Sequence, residues 1–511
     1  MSASRIQRFL RQHWSILILI AIVVLALWAR FPLIGYPLTD TAQGEPSRDY
    51  LVANHILSFH EWPLTGPWNG FFSGFLNSPS YYYLIAFFLL FRNSIVFLVL
   101  VNILLQVITG ILLYILGYKL FSESTGLSAA LLFLFSNENI FFHSQYFWQP
   151  YVMQVVLILA FLLICMSFQN KRIGWLLAGI SAFIFATSLH MSALGILPVF
   201  GVAAAASFKR MDPSQRKYPF VISTAVGSLF LLYGPLLFFN HPYDPADRMI
   251  NLNGLTTASL GPYWLQFRLV LLKMAEVFVR DINFHSAIAI IFAGLLLAKS
   301  LIGGGALTRT KLCFITAGIF ILPIMLAFAE ATYHRFYFIP IFGLVILLLA
   351  GVIDDVFSGS ARVFKWIVVA GFFILISGKL SFLDLQSRGP YNSTIEQAVS
   401  AVAHFDILSF SVAAYAQESE NAPALVSMHP ALLIAPLENY FKLPLSNIDT
   451  FLSSGYELSN NNSKRMLILC RGLELASKDI CAAQFHKDHP GYTVEREIFY
   501  TYPLLILIAD K

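Results

Sequence analysis

The chain has 511 residues, of which 57% are hydrophobic, 15% aromatic and 12% charged, with a formal net charge of +5 at neutral pH. Soluble globular domains carry about 25% charged residues, so this composition excludes that class and places the chain among integral membrane proteins. Its basic residues fall in short connections between apolar runs rather than in a stripe that could follow a phosphate backbone, which argues against nucleic acid as a partner.

Arg5, Arg8 and Arg11 precede an apolar run from Trp14 to Ile34 that lacks a small-residue cleavage site, so the run is read as an uncleaved first span. A spanning helix needs roughly 20 apolar residues. About eleven runs qualify as transmembrane helices: 14–34, 95–118, 127–141, 150–168, 173–189, 191–207, 218–239, 283–299, 312–330, 335–352 and 364–380. The run 80–91 is short for a span and reads as an interfacial or re-entrant helix with its tyrosines at headgroup level. Two connections, 35–94 and 240–282, are long. From 381 the composition shifts to Asn, Ser, Asp and Glu, and strands are expected at Ala422–Met428, Arg465–Cys470 and Thr493–Ala509, with helices near 430–441 and 474–486. The predicted fold is an α-helical polytopic membrane domain over 1–380 followed by a small soluble α/β domain over 381–511.

The loop charges orient the chain, because cytoplasmic connections retain Lys and Arg. With the N-terminus inside, the short inner segments hold fifteen basic residues, among them Lys119, Lys171, Arg172, Lys209, Arg210 and Lys311. The much longer outer segments hold eight, with Arg30 at the outer end of the first span included. An odd number of spans then puts 381–511 outside the cytoplasm. Cys165 and Cys313 fall in apolar runs and Cys470 and Cys481 in the polar part, with no C-x-x-C pair, so zinc is not suggested. A disulfide between Cys470 and Cys481 would suit an extracytoplasmic domain, although spacing alone does not establish it.

Chemistry-bearing residues gather on the outer side. The loop 35–94 opens with Asp40, Glu45, Arg48, Asp49, His55, His60 and Glu61, and Glu45-Pro46-Ser47 leads into a helix with Leu51, Val52, Ile56 and Leu57 on one apolar side. Taken singly, such acids are most often helix caps and solvated charges. Arg48 beside two carboxylates keeps them ionised, which suits a general base and suits a structural ion pair equally. At the outer ends of later spans stand His143, Gln145, Trp148, Gln149, His190, Tyr333, His334 and Arg335. Their plain reading is interfacial anchoring and capping, and their functional reading is a shared outer site. The loop 240–282 carries Arg268, Lys273, Glu276 and Arg280, a basic amphipathic stretch that reads as a lipid-headgroup contact or as a solvated face.

Several of these segments resemble landmarks of the GT-C glycosyltransferases, in particular the protein O-mannosyltransferase and aminoarabinose transferase-like group (glycosyltransferase family 39 and its bacterial relatives). Gln43-Gly44-Glu45-Pro46-Ser47-Arg48-Asp49 is similar to the group's first-loop acidic motif, and Ser78 through Leu84 resembles the segment closing that loop. Ser144 through Pro150, Leu189 through Leu194 and Tyr333 through Tyr337 resemble later landmarks, in the same order. The resemblance implies a polyprenyl-phosphate sugar donor, a protein, glycan or lipid acceptor outside the cytoplasm, and an inverting single displacement in the plasma membrane, the inner membrane if the source is bacterial. Carried over by position, the catalytic acid falls on Glu45, with Asp49 and Asp40 as the other candidates for the base, and Arg48, His190, His334 and Arg335 are the candidates for donor phosphate or sugar contacts. Glu45 stands where the group usually has Asp, Pro46 where it has an acid or amide, and Gln145 where many bacterial members are basic. Asp40, Glu45 and Asp49 are also the residues that could ligate a divalent cation, with no metal or other cofactor otherwise called for. A lipid or lipid-linked-sugar transporter or flippase and a catalytically inactive GT-C-like scaffold are the alternative readings. A flippase would be expected to place ionisable groups or broken helices near mid-membrane, where these spans are nearly free of charge.

Overall fold

A computed structural model of the chain describes residues 3–31, 49–50, 52–54, 56–57, 60, 62–63, 66, 78–136, 139–140, 144, 147–238, 267–272, 274, 284–303, 305–327, 335–357, 362–377, 410–416, 465–471, 478–488, 490–501 and 504–510. In chain order the helices are α1 (Ala3–Arg30), α2 (Ser80–Leu89), α3 (Ile95–Leu120), α4 (Glu123–Leu134), α5 (Gln149–Asn170), α6 (Ile173–Leu189), α7 (Leu197–Arg210) and α8 (Tyr218–Phe238). They continue with α9 (Phe284–Gly303), α10 (Ala306–Ala327), α11 (Ile339–Val356), α12 (Arg362–Ser377) and, between strands, α13 (Lys478–Asp488). Each apolar run expected to span overlaps a helix of this series. Among the described residues, Phe97–Leu120, Gln149–Asn170, Met191–Arg210 and Ile339–Val356 are long and apolar enough to cross a membrane.

The chain divides into two compact units: 1–31, 69–78 and 101–380 in one, and 32–68, 79–100 and 381–511 in the other. The first is a helical bundle centred on α11, which packs against α4, α5, α9, α10 and α12. Ile341, Phe342, Ile346, Leu347 and Ile353 of α11 are buried, and Phe133 of α4 meets Phe342 with ring centroids 5.8 Å apart. Around this core the polarity of a soluble protein is reversed. Phe220, Ile222, Val226, Phe230 and Leu231 of α8 are all exposed, as are Ile20, Val24 and Trp28 of α1, the surface that a lipid solvent selects.

Local chemistry sets the joints of the bundle. Ser122 caps α4 by accepting the N–H of Thr125 at 3.1 Å. Pro150, Pro198 and Pro340 stand in the first turns of α5, α7 and α11, where a missing N–H leaves no helical bond unmade. The α5–α6 hairpin turns on Lys171, whose φ of 54° lets its N–H return to Ser167 O at 2.8 Å. Gly117 and Gly126 bring α3 and α4 together so closely that a Cβ on Gly126 would stand 2.4 Å from the Tyr114 carbonyl oxygen.

In the second unit four strands, β1 (Phe410–Ala416), β2 (Arg465–Arg471), β3 (Thr493–Thr501) and β4 (Leu504–Asp510), form a sheet in the order β1-β2-β4-β3. β1 and β2 are parallel, paired from Phe410↔Arg465 to Ala416↔Arg471, whereas β4 runs antiparallel to both β2 and β3. Ile468, Leu507 and Ile508 are buried in the sheet, as is Phe485 of α13. The single strand expected at Thr493–Ala509 is thus a hairpin; Pro503, which has no N–H to give a ladder, falls between its arms. The expected strand 422–428 and helix 430–441 lie outside the described residues.

Candidate functional site

Of the acids expected to supply a base, Asp49 is described; Asp40 and Glu45 lie outside the described residues, as do Arg48, His55, Glu61, His143, Gln145, Tyr333 and His334. Asp49 and Tyr50 are helical and buried, followed by helical Val52–Asn54 and Ile56–Leu57, of which Val52, Ala53 and Ile56 are buried. This is the helix read from the pattern after Glu45. Amide and hydroxyl pairs fix it to the segment after α2: Tyr50 Oη donates to Asn93 Oδ1 at 2.9 Å, and Asn93 Nδ2 donates to Asn54 Oδ1 at 2.6 Å. The closing part of the loop is tied in the same way. Tyr83 Oη of α2 donates to the Pro63 carbonyl at 2.6 Å, and its ring meets Trp62 edge-on at 5.3 Å. A carboxylate with no exposed surface, on a helix tied through Tyr50 and Asn54 to Asn93, is a held and desolvated group, the setting in which a base acts without reorganising water. His60 is exposed and sits in the left-handed region at φ 57°, so it lies apart from this buried face.

His190 belongs to the first unit, at the end of α6. Its Nδ1 accepts the Ser192 N–H at 3.3 Å and lies 2.7 Å from Ser192 Oγ, which assigns the ring proton to Nε2. The ring stands 6.2 Å from that of Tyr337, in the 3₁₀ turn Arg335–Phe338 that begins with the expected donor contact Arg335. Burial pulls the imidazole down to about 4, so at neutral pH it is an uncharged N–H donor rather than a cation.

At the same end of the bundle stands a group whose role the sequence did not reveal. Arg30, the last residue of α1, is fully buried and donates from Nε to Ser144 Oγ at 2.8 Å, from Nη1 to Ala26 O at 2.9 Å and from Nη2 to Leu134 O at 2.5 Å and to Asn139 Oδ1. Asn139 Nδ2 passes the chain on to Gln106 Oε1 at 3.1 Å, and Gln106 Nε2 to Tyr151 O at 3.2 Å. One guanidinium therefore joins α1, α3, α4 and α5 and shapes the turn that holds Ser144. The sequence places it only as a charge at the outer end of the first span, because its partners beyond α1 are over a hundred positions away and every one is a neutral oxygen. Among the described residues no three His, Cys, Asp or Glu groups converge as metal ligands. Asp40 and Glu45, the other candidate cation ligands, lie outside them.

No protein-family profile and no curated protein matches the sequence. Solved structures do match the fold. One is ArnT from Cupriavidus metallidurans bound to undecaprenyl phosphate, at 10% identity and TM-score 0.50, covering 97% of this chain and 98% of that one. Another is the oligosaccharyltransferase of Archaeoglobus fulgidus tethered to an acceptor peptide, also at 10% identity and TM-score 0.50, covering 90% of this chain and 69% of that one. Both are glycosyltransferases of the GT-C fold. The motif resemblance in the loops and the likeness of the folded chain point the same way, and the protein is an integral membrane protein with the GT-C fold.

Proposed function

We propose that the protein is a membrane glycosyltransferase that moves a sugar from a polyprenyl-phosphate donor to a protein, glycan or lipid acceptor on the extracytoplasmic side, where residues 381–511 form a soluble domain. The observation that carries this reading is likeness along nearly the whole chain to a transferase crystallised with undecaprenyl phosphate. In the proposed step a carboxylate removes the proton of an acceptor hydroxyl as its oxygen attacks the anomeric carbon. The carbon–oxygen bond to the lipid phosphate breaks on the opposite face, inverting the centre, and polyprenyl phosphate leaves with the electron pair. Glu45 is the base by motif position and Asp49 is the acid whose burial supports that role, with Asp40 as the third candidate. Arg48, His334 and Arg335 are assigned to the charge of the departing phosphate. His190 joins them as a neutral donor through Nε2, a role supported by the bonds that occupy its Nδ1.

The test is transfer of labelled sugar from a panel of polyprenyl-phosphate donors in membranes carrying wild type, Glu45→Gln or Asp49→Asn at matched expression. Turnover by wild type, and its loss in one folded variant by roughly the 10²–10⁴-fold that a positioned base contributes, identifies the base. Absence of turnover by wild type with every donor refutes the reading.

A further inference from the structure

We infer that the first unit holds an anionic glycerophospholipid at the end of the bundle remote from His190, one acyl chain lying in an apolar cavity and the phosphate resting on Lys119, Arg210 and Lys311. The cavity has a volume of about 460 Å³ and lies between α3, α5, α7, α10 and α11. Its floor is apolar and buried, with Ile164 of α5 and Leu347 of α11, while Phe168 at its rim is exposed, so it is reached from the surface. The α5–α6 hairpin fixes its location. The lining residues Cys165, Phe168 and Gln169 stand at the Lys171 turn, and His190 follows the 17 residues of α6, about 25 Å away along the helix axis. The cavity is therefore separate from the proposed transfer chemistry, and the inference does not depend on it.

The three cations all border the cavity. Arg210 lies over the Phe168 ring at 4.3 Å and Lys119 over Tyr118 at 5.8 Å. Lys311 donates to the Leu120 carbonyl and lies over Phe121 at 5.6 Å. Among the described residues the ion pairs are Lys171–Asp212 and Lys365–Asp354, so none of the three has a carboxylate partner. A soluble anion would neutralise the rim and leave the apolar interior wet, and a zwitterionic lipid would fill the interior and leave the excess positive charge unmatched. An anionic amphiphile answers both, as basic pockets between membrane helices commonly do. The volume is in the range of small-ligand sites and suits one acyl chain rather than a long polyprenyl chain.

The experiment is a native mass-spectrometry titration of the full-length, detergent-purified protein with phosphatidylglycerol, phosphatidylcholine and undecaprenyl phosphate, on wild type, the double variant Lys119→Gln/Arg210→Gln and the cavity-filling variant Ala203→Phe. The double variant spares Lys311, which holds a backbone carbonyl. Phosphatidylglycerol is expected to bind wild type at least tenfold tighter than phosphatidylcholine. The double variant should lose roughly 30-fold of that affinity, and Ala203→Phe should lose the bound lipid. Equal binding of the two phospholipids by wild type overturns the inference even if a variant fails to fold. So does phosphatidylglycerol binding that both variants leave unchanged, or its displacement by an equal concentration of undecaprenyl phosphate.

Discussion

Replacing Arg30 with Met tests whether the buried guanidinium organises the end of the bundle. Met keeps an unbranched apolar stem but is shorter and has no donor, so Asn139 Oδ1 and Leu134 O lose the Arg30 hydrogen bonds within a buried site. Ser144 Oγ is spared, because it still donates to Asn139 O at 2.7 Å. Leaving a buried acceptor unmet costs about 1–3 kcal/mol, so two of them predict a loss of about 4 kcal/mol in unfolding free energy. Removal of a desolvated charge acts in the opposite direction, and exchanging buried ionic groups for apolar ones is sometimes stabilising. Here the acceptors are fixed at the end of α4 and in the turn that follows, so they cannot follow the shortened network to new donors. Denaturation of the purified protein in mixed micelles, read by tryptophan fluorescence, measures the change. Adding Asn139→Leu should return none of the loss, since it removes one orphaned oxygen but takes the Asn139 donor from buried Gln106 Oε1. An Arg30→Met protein as stable as wild type would refute the hub, and the guanidinium would then be a charge kept at a stability cost.

The close crossing of α3 and α4 predicts that Gly126→Leu abolishes folded yield in fluorescence-detected size exclusion, whereas Gly201→Leu, with nothing within 4 Å of a new Cβ, is tolerated. Burial holds His190 at about 4, below an ordinary imidazole, so between pH 6.5 and 4 the unfolded chain binds the extra proton. Its contribution of about 3 kcal/mol is therefore complete above pH 6.5 and lost as pH falls toward 4, and His190→Gln should flatten stability measured across that window. In the bundle, Lys365 Nζ pairs with Asp354 Oδ1, while Ser122 and Thr125 hydroxyls donate to Oδ2. Asp354→Asn should cost about 3–5 kcal/mol by stranding a buried ammonium, and a further Lys365→Met change should recover most of it in a double-mutant cycle.

The helices were legible because each long apolar stretch has one stable outcome in a lipid solvent, a helix that satisfies its own backbone. Their ends were less so. The run expected at 127–141 is α4, which starts at Glu123 because Ser122 caps it and stops at Leu134, whose carbonyl is taken by Arg30. The run expected at 191–207 is a 3₁₀ turn over Met191–Ile196 followed by α7, with Pro198 opening the regular helix and His190 capping the turn. In the second unit β2 and β4 are legible as short aliphatic runs and β3 by its β-branched and aromatic residues. β1, with three alanines in seven residues, carries too weak a signal and is recruited by pairing with β2. At the site, Asp49 and His190 were visible because ionisable groups stand out against apolar sequence. Arg30 was just as conspicuous, but its role lies in partners at the end of α4 and in the segment after it, a tertiary fact with no local pattern.

The strand order of the small sheet also dictates when it can be built. β4 is made after β3, yet it sits between β3 and β2, and β1 reaches β2 across the whole connection from 417 to 464. No two-stranded piece made during synthesis has both faces and edges in place until Leu504–Asp510 has emerged. Pairings of high sequence separation are also slow to close. While the helical bundle can assemble span by span, this unit passes through a period with β1 and β2 exposed as open edges, which makes it the part of the molecule most dependent on protection from aggregation during biogenesis.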